Sequence, residues 1–374
     1  MNDGESAIPY VDLSSQWAEC EQELLPVVLD VLRSGVYVSA DAVEAFEKRV
    51  CEYLETDYCI AVNSGTDALV CALVVAGVRP GTEVITTANS FIASTSVICH
   101  VGATPVFVDI LDDQSMDPDK INDAITDKTA AVMPVHLTGK VCQMDRIMKV
   151  CTEAGLPVIE DAAQCIGAKH RGVFGGTIGD FGCFSAHPLK NLNAIGDSGF
   201  IVTRNGEYAE KIKLMRNHGL ADRNTVKQFG YVSRMDVLQA AALKWKLENQ
   251  LESVNERRRS NARFYDEALT PALQKPYESE NDWAVYHTYV VQTSDRDALQ
   301  QHLSSKGVGS AIHYPIPIHK QPAYISKFGE YDLFPLDNTE RQARQILSLP
   351  IHQNLSTEQT ARIAEVVNEF FGGN

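Results

Sequence analysis

Lys190 sits at the centre of the stretch Phe184-Ser185-Ala186-His187-Pro188-Leu189-Lys190-Asn191-Leu192-Asn193-Ala194-Ile195-Gly196-Asp197-Ser198-Gly199, between apolar neighbours and ahead of a glycine-bearing turn. A lysine there is either a solvated surface cation, as most lysines are, or an amine held in a pocket where it loses its proton and attacks a carbonyl. The second reading gains weight from Pro157-Val158-Ile159-Glu160-Asp161-Ala162-Ala163-Gln164, an apolar run that ends in acids, as a buried strand does on reaching a site. A lysine amine and a carboxylate at a strand end suit pyridoxal phosphate, which needs a Schiff-base lysine and an acid against its pyridine nitrogen.

A third stretch, Asn63-Ser64-Gly65-Thr66-Asp67-Ala68-Leu69, follows the strand pattern Tyr58-Cys59-Ile60-Ala61-Val62 and precedes an apolar helix through Val75. Free N–H groups and hydroxyls at such a helix start suit a phosphate, although serine at this place serves more often as a plain N-cap. Strands and helices then alternate. Residues 83–86, 104–109, 130–135 and 158–160 read as strands, with helices at 91–101, 118–125 and 144–155 between them. This alternation indicates a mainly parallel sheet covered by helices on both faces, whose ligands bind at the carboxyl ends of the strands. Ser64, Thr66, Phe91, Asp161 and Gln164 all fall at or just beyond such ends. Residues 180–185 and 199–203 read as a strand pair flanking the lysine loop. Residues 9–34 open with Pro9-Tyr10-Val11-Asp12-Leu13 and pass into a helical pattern at Leu24-Leu25, Val28-Leu29 and Val31-Leu32, and further helical patterns run from Ser39 to Tyr53, from 236 to 251 and from 251 to 269, the last with the triplet Arg257-Arg258-Arg259, read as a solvated face or an ion-pair set. The texture changes near Pro276. Residues 1–274 are therefore assigned to a large domain and 275–374 to a small α+β domain with a strand at 285–291 and helices at 295–306 and 357–371.

The formal charge of −16 argues against nucleic acid as a partner, because holding a phosphate backbone needs a basic surface. Any anionic substrate then depends on a local cluster of donors. Nine scattered cysteines without a C-x-x-C pair read as free thiols, and no metal-ligand spacing appears. The polar start, Met1 to Ser6, lacks a signal-peptide pattern and no run is long enough for a membrane helix, which makes the cytoplasm the expected location.

With Lys190, Asp161 and the Ser64-Gly65-Thr66 turn in this order, the chain resembles the DegT/StrS family of pyridoxal-phosphate-dependent sugar-nucleotide aminotransferases over nearly its whole length. The resemblance also rests on Glu160-Asp161-Ala162-Ala163-Gln164, His187-Pro188-Leu189-Lys190-Asn191-Leu192, Gly196-Asp197-Ser198-Gly199, Arg216-Asn217-His218-Gly219 and His313-Tyr314-Pro315-Ile316-Pro317-Ile318-His319. It implies the aspartate-aminotransferase fold (fold type I), an α/β domain with a mainly parallel, mixed sheet of the seven-stranded type. It further implies that Lys190 forms the Schiff base and Asp161 keeps the pyridine nitrogen protonated. Ser64, Gly65, Thr66 and Ser185 would hold the phosphate, Phe91 would stack on the ring, Gln164 would approach its hydroxyl side, and Asn191 would complete the cofactor site. Arg234, His313, Tyr314 and His319 would bind substrates: L-glutamate, which loads the cofactor as pyridoxamine phosphate, and a nucleotide-diphosphate keto sugar. The His313 to His319 form resembles members that act at C3 of a dTDP- or UDP-linked hexose, for surface polysaccharide or a glycosylated product. The family builds its sites from two chains, which implies a homodimer joined across Arg216 to Arg234.

The chain departs from the family pattern at Val232, where the family usually carries an asparagine that reaches the neighbouring subunit's phosphate. Asn224 lies near enough in sequence to take that part. Ala186 replaces a bulky aromatic and implies a roomier pocket. Among rivals, the family's dehydratases replace the lysine with histidine, so Lys190 argues against them. A non-enzymatic regulator would need an appended DNA-binding module, which is absent, and a nicotinamide enzyme would need a Gly-x-Gly-x-x-Gly turn after its first strand.

Overall fold

A computed structural model describes residues 7–38 and 41–372. Seven strands form the main sheet: β1 (Tyr58–Val62), β2 (Glu83–Thr87), β3 (Thr104–Val108), β4 (Thr129–Val132), β5 (Ile159–Asp161), β6 (Phe181–Ser185) and β7 (Gly199–Thr203). Ladders give the orders β1-β7-β6-β5 and β3-β2-β4, and the parallel bridges Val132 to Val158 and Val135 to Asp161 join the two into one mixed sheet. Only β7 runs against its neighbours, pairing antiparallel with both β1 and β6.

Both faces are covered, and the period-two alternation of side chains sorts them. Cys59 and Ala61 of β1, Ile85 of β2 and Phe200 and Val202 of β7 face a core shared with Phe46, Val50, Met144 and Ile147. Ile60 and Val62, Val84 and Ile201 face the other core, shared with Leu69, Leu73, Val97 and Ile212. Phe184 and Phe200 stack across β6 and β7 at 4.8 Å, which fixes the register on either side of the lysine loop.

A second sheet pairs Tyr289–Gln292 antiparallel with Ile346–Leu349. Beneath it lie Leu299, Leu303, Ile363 and Val367, together with Ala262 and Tyr265 of the helix Leu251–Ala268 and its C-cap Leu269; the other end of that helix, at Leu251, belongs to the large core. That helix is shared by the two cores. In the arginine triplet, Arg257 pairs with Glu19 and Arg259 with Glu278. Arg258 departs from the solvated face expected of it: it is buried and donates to the carbonyls of Tyr286 and His287.

Several element boundaries differ from the sequence reading. The helix expected from Phe91 begins at Ile92, with Phe91 at its N-cap, and the one expected from Ser39 starts outside the described residues, which show Asp41–Leu54. The helices Pro322–Phe328 and Asp337–Gln345 and the strand Ile346–Leu349 had no clear period in the sequence. The strand expected over 285–291 forms only from Tyr289, because the preceding backbone bonds elsewhere. Val285 and Thr288 donate to the carbonyls of Gly139 and Thr138, and Tyr286 takes φ 44°. Gly139 permits this crossing, since it has φ 95° and a Cβ there would lie 2.7 Å from the His287 nitrogen. Gly139→Ala should lower the unfolding free energy measured in urea by about 2 kcal/mol or more.

Candidate active site

The predicted site residues gather where β1, β2, β5 and β6 end and β7 begins. At the end of β1 the chain turns through Ser64 into the helix Gly65–Val75. The Ser64 hydroxyl accepts from the Asp67 N–H and the Ser64 carbonyl from Ala68, which leaves the Gly65 and Thr66 N–H groups without an acceptor among the described residues. Ser64 is therefore the helix cap, the plainer of its two readings. Two neighbours close on this turn because the glycines have no side chain. A Cβ on Gly65 would lie 2.7 Å from the Ser185 Cβ, and one on Gly199 would lie 2.4 Å from the Ser64 carbonyl carbon. The antiparallel β7 thus delivers Gly199 under the turn while β6 delivers Ser185 beside it.

Asp161 ends β5 and is 5% exposed. Its Oδ2 accepts from the Ser94 hydroxyl at 2.7 Å and its Oδ1 from the Ala163 N–H at 3.2 Å. Burial pushes its carboxyl above the usual range, while the Ser94 and Ala163 hydrogen bonds and the Lys190 charge act the other way. Lys190 lies in the loop after β6. The residue is half-buried, and desolvation lowers its pKa to about 8 against the opposing pull of Asp161. No protein group accepts from the amine among the described residues. The pair has the chemistry of an amine that gives up its proton readily and of a buried acid that favours a neighbouring cation.

The walls are aromatic and imidazole rings. Phe91, half exposed at the start of the helix Ile92–His100, meets the Tyr314 ring at 5.9 Å. Burial, followed by the charge of Asp161, pushes the Tyr314 phenol up to about 12. His313 Nδ1 lies 2.9 Å from the Ser348 hydroxyl, and burial together with the Lys190 charge brings the ring down to about 4. Gln164 is buried, and its Oε1 accepts from the Thr138 N–H at 2.8 Å.

Two predicted residues, Asn191 and His319, are placed differently, and a third, Arg234, is partly engaged within its own hairpin. Asn191 is buried and its amide is fully engaged by Asn255, Val285 and His287, so it anchors the lysine loop and offers nothing to a ligand. His319 is 5% exposed, packs on Phe107 and Tyr331 and lies 3.2 Å from Glu340, away from the cleft. Its expected contact with a sugar nucleotide is corrected to a packing role, since the 3-10 turn Ile318–Lys320 rolls the ring inward. Arg234 donates to Asn217 and braces the hairpin that follows the helix Gly206–Met215.

Sequence reasoning missed Ser94 and the pair beneath Asp161. Ser94 sits three residues after Phe91, one helical turn along, and that spacing was the available signal. Glu160 and His136 are fully buried and 2.7 Å apart. Glu160 also accepts from the Gly176, Ile178 and Gly179 N–H groups, while the Cys142 N–H donates to His136 Nδ1. Because a backbone N–H can only donate, His136 carries its proton on Nε2 and is neutral.

These residues fit pyridoxal phosphate. Two free N–H groups at a helix start and the Ser185 hydroxyl are brought together by the close packing that Gly65 and Gly199 permit, and the acid and the amine stand on the neighbouring strand end and loop.

The sequence profile of the DegT/DnrJ/EryC1/StrS aminotransferase family matches residues 18–368. A "Pleiotropic regulatory protein" of Geobacillus stearothermophilus is 38% identical over 97% of this chain and 98% of its own length. The UDP-N-acetyl-3-dehydro-alpha-D-glucosamine 3-aminotransferase of Acidithiobacillus ferrooxidans is 38% identical over 98% and 99% of the two chains. The crystal structure of DesV from S. venezuelae superposes with a TM-score of 0.94 at 37% identity, covering 98% of this chain and 99% of that one. The chain belongs to the DegT/DnrJ/EryC1/StrS aminotransferase family.

Proposed function

We propose that this protein is a pyridoxal-phosphate-dependent nucleotide-sugar aminotransferase that takes its amine from L-glutamate and gives it to C3 of a dTDP- or UDP-linked keto hexose. The observation that carries the reading is the juxtaposition of the Lys190 amine and the buried Asp161 carboxylate beyond an open helix N-terminus. When bound, the cofactor supplies a carbonyl that takes up an amine and a ring that accepts the electrons released at the donor's Cα.

The chain's own groups do the rest. Gly65 and Thr66 N–H and the Ser185 hydroxyl hold the phosphate at the positive end of the helix. Asp161, oriented by Ser94, keeps a proton on the ring nitrogen, and that cation in turn relieves the cost of a buried carboxylate. Lys190 Nζ would take and return the proton at the donor's Cα, a task that a pKa of about 8 suits near neutral pH. Phe91 covers one face of the ring, with Tyr314 beside it. The Tyr314 hydroxyl, still protonated at neutral pH, can donate to the acceptor sugar. Arg234 supplies a fork for the donor carboxylate.

The relative that acts at C3 of a UDP-sugar supports the acceptor class, and the match over full length supports carrying it here. The relative named as a regulator supports a second, non-enzymatic reading. An intact lysine and acid weigh against it, and against a dehydratase.

We also infer a homodimer. Phe229 is fully exposed, and Val226 and Val232 about half exposed, on the hairpin between Arg216 and Arg234, a patch that a second copy would cover. A large domain of residues 1–274 and a small one of 275–374 remain our division, with the helix Leu251–Ala268 bridging them. Among the described residues no helix is long and apolar enough to cross a membrane, and the free thiols suit a reducing cytoplasm.

Borohydride reduction of the loaded enzyme should fix the cofactor on Lys190, read by peptide mass spectrometry; label on another lysine would sink the assignment. Asp161→Asn should leave a folded protein with at least about a thousandfold slower glutamate turnover, and near-normal turnover would make the carboxylate structural. In cofactor-free protein the acylation rate of Lys190 should rise through pH 8, and Asp161→Asn should move that midpoint lower, since removing the anion favours the neutral amine. Tyr314→Phe should slow the keto-sugar half-reaction about tenfold and spare the glutamate half-reaction. His319→Ala should instead lower thermal stability.

A further inference from the structure

His170 is a buried titratable group that the reaction above does not use, and it stands between two carboxylates. Its Nδ1 lies 2.8 Å from Asp282 Oδ1 and its Nε2 lies 3.0 Å from Asp145 Oδ1. The second oxygen of each acid has partners of its own. Arg171 Nε is 3.0 Å from Asp145 Oδ2, while Asp282 Oδ2 accepts from the Ser279 hydroxyl at 2.7 Å and has the Lys140 ammonium at 3.4 Å. Against the cost of burial, the His170 hydrogen bonds and then these neighbours hold both carboxyls below their usual range, Asp282 at about 2. An ionised carboxylate only accepts, so both ring nitrogens carry protons and His170 is an imidazolium in this arrangement. The two acids come from separate parts of the chain. Asp145 lies in the first turn of the helix Met144–Ala154, whereas Asp282 pairs in register with His170 across a small sheet of Lys169–His170, Val173–Phe174 and Asp282–Trp283. Three residues beyond Asp282, the Val285 N–H donates to the Gly139 carbonyl and the Val285 carbonyl accepts from Asn191, the neighbour of Lys190.

We propose that His170 is a pH-sensitive clasp: as an imidazolium it ties residues 278–285 to the helix Met144–Ala154, and at alkaline pH it gives a proton to solvent, loses one of its two hydrogen bonds and loosens the segment that anchors Asn191. A neutral ring has one N–H for two carboxylates, so one contact becomes a meeting of lone pairs. The charged groups around the ring are Asp145 and Arg171 on the helix side, and Asp282 with Lys140 on the other, where Lys140 Nζ also lies 2.8 Å from Asp113 Oδ2. Lys169 leaves the opposite face of its strand, with its ammonium 4.2 Å from the centroid of the Phe174 ring. Carboxylates, lysine and arginine keep their charges between pH 6 and 9, so the imidazole is the member of this row that titrates there. The Asp282 hydrogen bond first, then the Asp145 one against the cost of burial, hold it above its ordinary pKa. The clasp is therefore closed below about 6.5, the pKa of a histidine in the unfolded chain, and opens as the pH rises through the raised folded value. None of this depends on the chemistry assigned to Lys190.

Nitrogen-15 NMR of the histidine-labelled protein as purified tests the charge, with the His170 signals assigned by their loss in His170→Gln. A titration midpoint above about 6.5 is expected, and one at or below it overturns the proposal. Hydrogen exchange read by mass spectrometry, corrected for the intrinsic pH dependence of the exchange rate, tests the clasp. The reporters are the N–H groups of Ala284, Val285 and Thr288, which bond to Glu278, Gly139 and Thr138. Between pH 6 and 9 their protection should fall about tenfold through the His170 midpoint, as one charge-assisted hydrogen bond is lost, while peptides from β6 keep theirs. In His170→Gln the protection should be low and independent of pH. Asp145→Asn, a change at an exposed side chain, should lower the His170 midpoint by about one unit and carry the exchange transition down with it. Flat protection in the wild type, a fall shared by β6, a parallel fall in His170→Gln, or a transition that stays put in Asp145→Asn each overturns the proposal.

Discussion

A carboxylate held out of water at the end of β5 is the constraint around which the rest of the site is arranged. An isolated charge in such a place is costly, and the protein answers with a hydroxyl from Ser94, an N–H from Ala163 and a lysine across the cleft. None of these cancels the charge fully, and burial still leaves the acid above its usual range. The remaining deficit is what makes Asp161 a binding site for a protonated ring nitrogen. The same burial lowers Lys190, so one dry cleft prepares both the acid and the amine.

Beneath this pair the structure is built to avoid further charge. Glu160, next to Asp161 in sequence, points to the other side of the strand, where three backbone N–H groups and the neutral His136 satisfy it. Adjacent acids in one strand thus meet opposite fates, because successive side chains leave a strand on opposite faces. Burial keeps the imidazoles of His313 and His287 uncharged beside Lys190. The charge that acts on the amine is that of Asp161, while the buried Arg258 beside His287 has its guanidinium taken up by carbonyls and by Gln353.

The reversal of β7 has an equally concrete effect. An all-parallel continuation would send the chain after β6 over the far edge. Running antiparallel between β1 and β6, β7 starts where they end and places Gly199 under the Ser64 turn, closing the loop that holds Lys190 into a short arch. The arch is pinned from the other side by Asn191, through Asn255 and Val285, so a segment far along the chain helps set the lysine's position.

The sequence by itself determined what depends on local order. The period of apolar residues determined the alternating sheet, the Ser64-Gly65-Thr66 turn its helix start, and the order of Lys190, Asp161 and their flanks the family. Those features are short-range, and residue type and spacing carry them. Tertiary structure alone decided which side chains face the cleft. Asn191 and His319 look like ligands in the sequence, yet long-range partners at Asn255, Phe107 and Glu340 draw them inward. Ser94 and His287 carry no motif, yet the sheet order and the crossing at Gly139 bring them to Asp161 and to the lysine loop. A hydrogen bond between residues 67 or 96 positions apart depends on the path of the whole chain, and no local pattern encodes it.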